Sequence, residues 1–552
     1  MGELRQQFPE SVRGANLFAL DHTLAAYLAA ESRPALERHR ESLSRFGAFV
    51  GGLADEEAAY TDRYAPPLLE PYDGAGRLIN RIRLNPLAAR ANQEVYALGA
   101  VGLNYTAEPA PYLITFAMGY LLSQSNLSLH CPVTMTGAVA HVLHRFSPEA
   151  LRARYLRQLT RMDGAALTGG TWATERQGGS DIGATTTRAV ADGEGEARLY
   201  GLKWFASNPA GGLALATARP DGGAPGTAGL GLYLVPFADE DGTPNAIRIR
   251  RLKEKLGSRG VPTGELDLDG ALSTVVAPPP SGFRLMMEAL TFSRIHNALS
   301  AVGTMRRALL EAVGYALRRE AFCQPIFNYP MVQQEILHIL LAYKAGFALA
   351  FEAASAFDRI QAWDEADAPD RVWLRLVTAL AKFATGEDAI ASARRALEII
   401  GGNGYTSDYV TERLLRDAQV LTVWEGPANI QALELLRLLW GRANGAALYR
   451  ARIADLLAQR AEPALAEGLA SFDEAVAFLG QDETARPHHA RRLAGLMADL
   501  LAAALLLTRT GPAQGGLLQR FIAERLAPPP HRGIVPGDAL SAGQLEALLE
   551  TV

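Results

Sequence analysis

Trp424-Glu425-Gly426, downstream of the glycine run Gly401-Gly402-Asn403-Gly404-Tyr405, sets one carboxylate in an apolar, glycine-lined stretch. Flanked by Leu421, Val423 and Trp424, an ionised Glu425 is expected to lose hydration, so that its pKa rises toward neutrality. That suits a base that takes a weakly acidic C–H proton near pH 7. The local sequence supports a second reading equally well: a solvated first-turn acid of a helix over 429–440, complementing the helix dipole. A further stretch, Gly178-Gly179-Ser180-Asp181 after Thr174-Glu175, offers backbone N–H groups and two hydroxyls, a composition suited to a phosphate or to the polar edge of a flat heterocycle. It lacks the Lys-Ser/Thr ending of a P-loop and the strand–glycine–helix unit of a dinucleotide fingerprint, and a glycine-rich turn between strands accounts for it more simply. Lys203-Trp204-Phe205-Ala206-Ser207-Asn208 adds an aromatic pair and a hydroxyl; inside a β domain such aromatics are usually core. His488-His489 reads as a solvated turn rather than a metal site, Arg491-Arg492 as surface charge, and His296 as a helix-packing residue.

The elements that must position these residues follow from periodicity. From Asn16 to about Gly164 apolar residues recur at helical spacing, interrupted by an expected surface loop at Pro66-Pro67 and Pro71-Tyr72-Asp73-Gly74. From about Ala165 to Pro280 short apolar stretches alternate with glycine and proline, and Ile247-Arg248-Ile249-Arg250 shows period two, which predicts a β domain, barrel or sandwich. Gly222-Gly223-Ala224-Pro225-Gly226 reads as an exposed hairpin turn. Long helices are predicted over 283–319, 331–359, 370–400 and 429–440, then over 446–479 and 490–507 in an alanine- and leucine-rich tail that includes Pro528-Pro529-Pro530. The fold class is therefore α+β. Its expected domains are an N-terminal helical domain (1–164), a β domain (165–280), a helical bundle (281–440) and an extra C-terminal helical domain (441–552).

The chain has 552 residues, 49% hydrophobic and 20% charged, a composition that places it among ordinary globular proteins of several domains. The N-terminal stretch is polar, and the aliphatic run at 500–507 is too short to cross a bilayer, so a cytoplasmic protein without membrane insertion is expected. Cys131 and Cys323 stand far apart, with neither a disulfide framework nor metal-ligand spacing. The net charge of −5 argues against a dominant nucleic-acid footprint.

Taken in order and spacing, the motifs resemble the acyl-CoA dehydrogenase family of flavoproteins over roughly residues 80–440. Thr174-Glu175-Arg176-Gln177-Gly178-Gly179-Ser180-Asp181 is similar to one family signature; the Gly401–Tyr405 run with Leu415-Arg416-Asp417-Ala418 is similar to a second. Length, N-terminal extension, C-terminal segment, Lys-Trp-Phe-x-Ser and Trp-Glu-Gly followed by Asn-Ile resemble the AidB-like branch, associated with the response to DNA alkylation.

The resemblance implies FAD held by Thr171, Ala173, Thr174, Gly179 and Ser180, with Phe205 against the ring system and Ser207 on its polar face. It implies that Arg319 and Phe322 reach the cofactor of a neighbouring subunit in a homotetramer, that Glu398, Gly401 and Gly402 meet the adenosine half, and that Trp424 and Asn429 are further cofactor contacts. Arg294 is the implied substrate contact; no metal is implied. Glu425 would take the proton α to an acyl-CoA thioester while the β hydrogen leaves as hydride to flavin N5. The position before Arg294, which carries the base in some relatives, is Ser293. Departures from the family pattern at Cys323, Pro330 and Pro427, and the bulk of Trp424, point to an unusual substrate or slow turnover. The competing expectation is an AidB-like flavoprotein that binds duplex DNA or sequesters acyl-CoA. The 441–552 tail has 11 Arg, no Lys and 12 acidic residues, which does not support contacts to a phosphate backbone.

Overall fold

The computed structural model describes residues 2–209, 211–239, 241–360, 363, 365, 368–509, 515–527 and 541–552; the proline run at 528–530 lies outside them. The chain divides into two compact units that interleave in sequence: residues 52–111 with 125–293, and residues 1–51 with 112–124 and 294–552. They are called here the barrel unit and the helical unit.

In the barrel unit, β1 (Leu68–Tyr72) and β2 (Leu78–Arg83) form an antiparallel hairpin where the sequence predicted a loop. Pro71 sits at the register shift between Glu70 and Tyr72, the kind of edge position that tolerates a missing N–H. Leu69 and Ile82, paired across the hairpin, pack on the barrel core, and that burial is what the proline-rich local sequence conceals.

Seven more strands follow: β3 (Thr168–Trp172), β4 (Arg188–Gly193), β5 (Glu196–Ser207), β6 (Gly212–Pro220), β7 (Gly231–Pro236), β8 (Ile247–Leu252) and β9 (Thr263–Ala277). The pairings β6–β4, β4–β5, β5–β9, β9–β7 and β7–β6 close a ring, with β3 added parallel to β6 and β8 antiparallel to β9. Closure decides between barrel and sandwich. Alternate residues point inward, among them Trp172, Leu199, Val235, Ile249, Leu266 and Leu268. The 222–226 segment joins the antiparallel strands β6 and β7 and is largely exposed, as expected. The helix Leu127–Phe146 lies on β3 at Gly169, where a Cβ would stand 2.9 Å from Val139 Cγ2 and 3.0 Å from Thr136 Cα; Thr136 Oγ1 accepts from Gly169 N. Only glycine permits that approach.

The helical unit contains Arg294 and the rest of the helix Ser281–Ala316, followed by Pro330–Asp358, Pro369–Ile400 and Ala428–Leu439, close to the bounds expected from periodicity, and by Thr411–Leu421, where no helix was predicted. Two of these helices begin with proline in the first turn, where its missing N–H has no helical partner to lose. The same rule splits the expected 446–479 helix into Gly445–Gln459 and Pro463–Gln481; Arg486–Arg509 follows. Among the described residues one helix, Pro330–Asp358, is long and apolar enough to cross a membrane, and nearly all of its apolar stretch is buried inside the protein, the position of a core helix.

Candidate active site

Glu425 does not lie in the first turn of a helix. The helix Thr411–Leu421 runs out through turns in which Val423 N and Trp424 N both donate to Val420 O, and the next helix starts only after Pro427, whose carbonyl accepts from Ile430 N at 2.8 Å. Between them Glu425 and Gly426 take left-handed backbone angles, φ +58° and +94°. For glutamate this conformation costs on the order of 1 kcal/mol or more, so the surroundings must hold it. They do so through both carbonyls. Arg294 Nε donates to Glu425 O at 2.9 Å, and Gln431 Nε2 donates to Glu425 O at 3.2 Å and to Gly426 O at 2.9 Å. With its amide turned to satisfy both ends, Asn297 donates to Leu421 O at 3.2 Å and accepts from Trp424 Nε1, fixing the residue before the base.

The side chain of Glu425 is sheltered: Oε2 is buried and meets no hydrogen-bond donor. Burial pushes its pKa up to about 7, against the pull of Arg294 and Lys382 toward the ionised form. The solvated reading of this residue is therefore overturned. So is one detail of the apolar reading, since Val423 is 64% exposed while Leu421 is fully buried. Arg294 is itself buried, and its Nε is committed to the backbone of the base. Gln431, Asn297 and Lys382 carry no motif that marks them in the sequence. Each stands on a helix at a spacing that identifies it only as inward-facing.

In the barrel unit, Thr174 O accepts from Trp204 N at 3.0 Å, which seats the Thr174–Ser180 segment beside the Lys203–Ser207 end of β5. A buried carboxylate pins that segment. Glu175 Oε1 accepts from Lys203 Nζ (2.8 Å) and Thr187 Oγ1 (2.5 Å), and Oε2 from Thr186 N (2.7 Å) and Gln177 Nε2 (2.8 Å). Burial opposes ionisation of Glu175, but Lys203 and these donors outweigh it and hold its pKa at about 2. The Glu175–Lys203 pair ties the two separated motifs to each other. Gly179 and Ser180 are exposed at the tip, Thr171 and Thr174 are half-buried, and Ala173 is buried. Phe205, for which a core position was the plainer expectation, is 55% exposed, with Lys253 Nζ 4.6 Å from its ring centre. Ser207 Oγ lies 3.0 Å from Thr263 Oγ1.

The remaining residues lie on the surface of the helical unit. Arg319 is exposed, and Phe322, 91% exposed with φ +51°, tops the two-residue hairpin Glu320–Ala321 with Gln324–Pro325. Glu398 is exposed and paired with Arg394 at 2.6 Å; Gly401 and Gly402 have open space where a Cβ would be. Asn403 Nδ2 reaches Tyr315 Oη at 3.4 Å, so the glycine run adjoins the end of the helix Ser281–Ala316, three residues before Arg319. Asn429 is exposed. His296 packs against Phe116, ring centres 5.0 Å apart and planes tilted by 58°, as expected of a packing residue; His488 is exposed, and no group of metal-ligating side chains occurs among the described residues.

Residues 280–439 match the C-terminal domain of acyl-CoA dehydrogenases, 170–271 their middle domain, and 7–163 the N-terminal domain of the adaptive response protein AidB. Acyl-CoA dehydrogenase family member 11 of Caenorhabditis elegans is 32% identical over 75% of this chain and 69% of its own length. The putative acyl-CoA dehydrogenase AidB of Escherichia coli is 31% identical over 78% and 79%. The chain belongs to the acyl-CoA dehydrogenase family. Its fold matches the solved Caenorhabditis elegans ACDH-11 in complex with C11-CoA with a TM-score of 0.85, at 26% identity over 96% of this chain and 94% of that one.

The cofactor of this family of oxidoreductases is FAD. The residues present fit it. An exposed Phe205 ring, next to a polar loop held rigid by Glu175, offers a flat apolar surface edged by hydroxyls and glycine N–H groups.

Proposed function

We propose that this protein dehydrogenates acyl-CoA thioesters at the α,β position, with Glu425 as the base. The observation that carries the reading is the sheltered Glu425 carboxylate, its Oε2 buried without a donor and its pKa raised by burial to about 7 on a turn braced by Arg294 and Gln431. A base matched to neutral pH abstracts a proton in the transition state most effectively. Bound FAD supplies the acceptor for the β-hydride, chemistry that no side chain of the chain can provide. Thr171, Thr174, Ser180, Phe205 and Ser207 would hold it. The chain's own part is to orient and to keep water out. Arg294, Gln431 and Asn297 fix the backbone on either side of the base, so that Oε2 meets the α-carbon without reorganisation at the moment of transfer.

The test is anaerobic mixing of the yellow protein with a series of acyl-CoA thioesters, starting from an eleven-carbon chain because a related structure holds C11-CoA. Bleaching of the flavin absorbance in wild type, slowed about a thousandfold or more in Glu425→Gln, is the expected result. Retained flavin with no bleaching by any chain length, together with salt-sensitive binding of duplex DNA, would replace this reading with the binding one.

A further inference from the structure

Lys382 lies in the middle of the helix Pro369–Ile400, 2% exposed, in the interior of the helical unit. Its ammonium makes no ion pair among the described residues. Burying an unpaired ammonium costs several kcal/mol, and a methionine of the same length would pack as well at no such cost.

The face on which Lys382 stands locates it. Arg375, Thr378, Lys382 and Gly386 follow one another at spacings of three and four and so form one strip along the helix. At one end Arg375 Nη2 pairs with Glu434 of the helix Ala428–Leu439 at 2.5 Å. At the other end a Cβ on Gly386 would stand 3.2 Å from Leu421 O and 3.4 Å from Thr422 Cγ2. Residues 423–433, which begin with the turn that carries Glu425, join those two anchor points, and Lys382 lies between the anchors on its own helix. Thr378 Oγ1, one turn earlier on the strip, is buried without a partner. Around Lys382 the charged groups are Glu425 on the turn, Arg294 on the helix Ser281–Ala316 and Glu387 on its own helix. The Arg375–Glu434 pair beyond them is internally balanced.

We propose that Lys382 is a positioning residue for the dehydrogenation: its ammonium is a second buried counter-charge, beside Arg294, that keeps Glu425 in its proton-accepting form in a site that excludes water. Arg294 is the stronger of the two positive charges acting on Glu425, and Lys382 adds to it from the helix Pro369–Ile400. Burial lowers the pKa of Lys382 to about 8, with Glu425 pulling it up and Arg294 pushing it down, so the residue stays cationic at neutral pH. The inference rests on Glu425 being the base.

Its test does not depend on turnover. In the protein as purified, without acyl-CoA, the carboxyl C=O stretch of Glu425, assigned by its loss in Glu425→Gln, is titrated by infrared difference spectroscopy. Lys382→Met and Lys382→Gln should each raise the midpoint by about one pH unit or more, and Lys382→Arg should leave it within about half a unit of wild type. In flavin bleaching, Lys382→Met should be about fivefold or more slower than wild type at pH 7, recover above about pH 9, and keep its KM. A neutral variant that titrates at the wild-type midpoint, or an arginine variant that shifts as far as methionine, overturns the proposal. Wild type that no acyl-CoA bleaches overturns the assigned reaction instead, and the infrared midpoint still decides the role of Lys382.

Discussion

The pKa of Glu425 makes its reactivity depend on pH with a definite sign. A carboxyl raised to about 7 is largely protonated, and idle as a base, at pH 6. Bleaching of bound flavin by acyl-CoA should therefore rise with pH through about 7 and level off above it, with a slope of one decade per unit on the acid side; stopped-flow rates across that range check it. Glu175 behaves in the opposite way. Its folded pKa, about 2, lies below the unfolded value, so the stability it contributes is present above about pH 4.5 and is lost as pH falls toward 2. Removing one partner of this buried pair, as in Lys203→Met, should cost about 3–5 kcal/mol and loosen the Thr174–Ser180 loop, giving a lower melting temperature and less bound flavin. The double variant Glu175→Gln/Lys203→Met should recover part of the stability. The chemistry of Glu425 was legible because an acid between apolar residues and glycine is unusual in itself. The partners Gln431, Asn297 and Lys382 were not, because what they hold depends on contacts made across helices. Lys203 and Glu175 stood in motifs already singled out, yet their pairing spans 28 residues and only the barrel brings them together.

Among the elements, the long helices were readable almost to their ends, since a 3.6-residue apolar period over thirty positions leaves few alternatives. The β1–β2 hairpin was not, because three prolines and an aspartate–glycine pair look like a loop when the packing of Leu69 and Ile82 cannot be seen. Barrel closure was equally hidden: β4 meets β6 through only two residue pairs, Arg188 with Arg219 and Ala189 with Pro220. The turn between the helices Thr411–Leu421 and Ala428–Leu439 is the element on which the base depends, and Gly426 is its most constrained point. An alanine there would carry φ +94° and place its Cβ 3.0 Å from Gln431 Nε2 and 3.2 Å from Ile430 Cγ2. Gly426→Ala should therefore cost about 1–2 kcal/mol in chemical denaturation. The same change, by shifting the base a fraction of an ångström, should slow flavin bleaching by tenfold or more while leaving the flavin bound.

At the scale of the whole molecule, the helical unit carries apolar groups that a lone chain leaves in water. Phe322 is 91% exposed, Met331 83% and Tyr405 80%, and the first and last belong to segments joined through Tyr315 and Asn403. Exposed aromatic and methionine side chains clustered beside open glycines mark an interaction surface more readily than scattered single residues do. The family resemblance assigns Arg319 and Phe322 to the cofactor of a neighbouring subunit, so the proposed homotetramer and the proposed flavin site should fail together. Phe322→Asp combined with Tyr405→Asp places two carboxylates in that surface without touching Glu425 or its braces. Light scattering after size exclusion should give four times the chain mass for wild type and a smaller assembly for the double variant, which should also purify with less flavin. A double variant that keeps both the wild-type mass and a full complement of flavin would show that the surface serves neither purpose, and the cofactor site would then have to be complete within one chain.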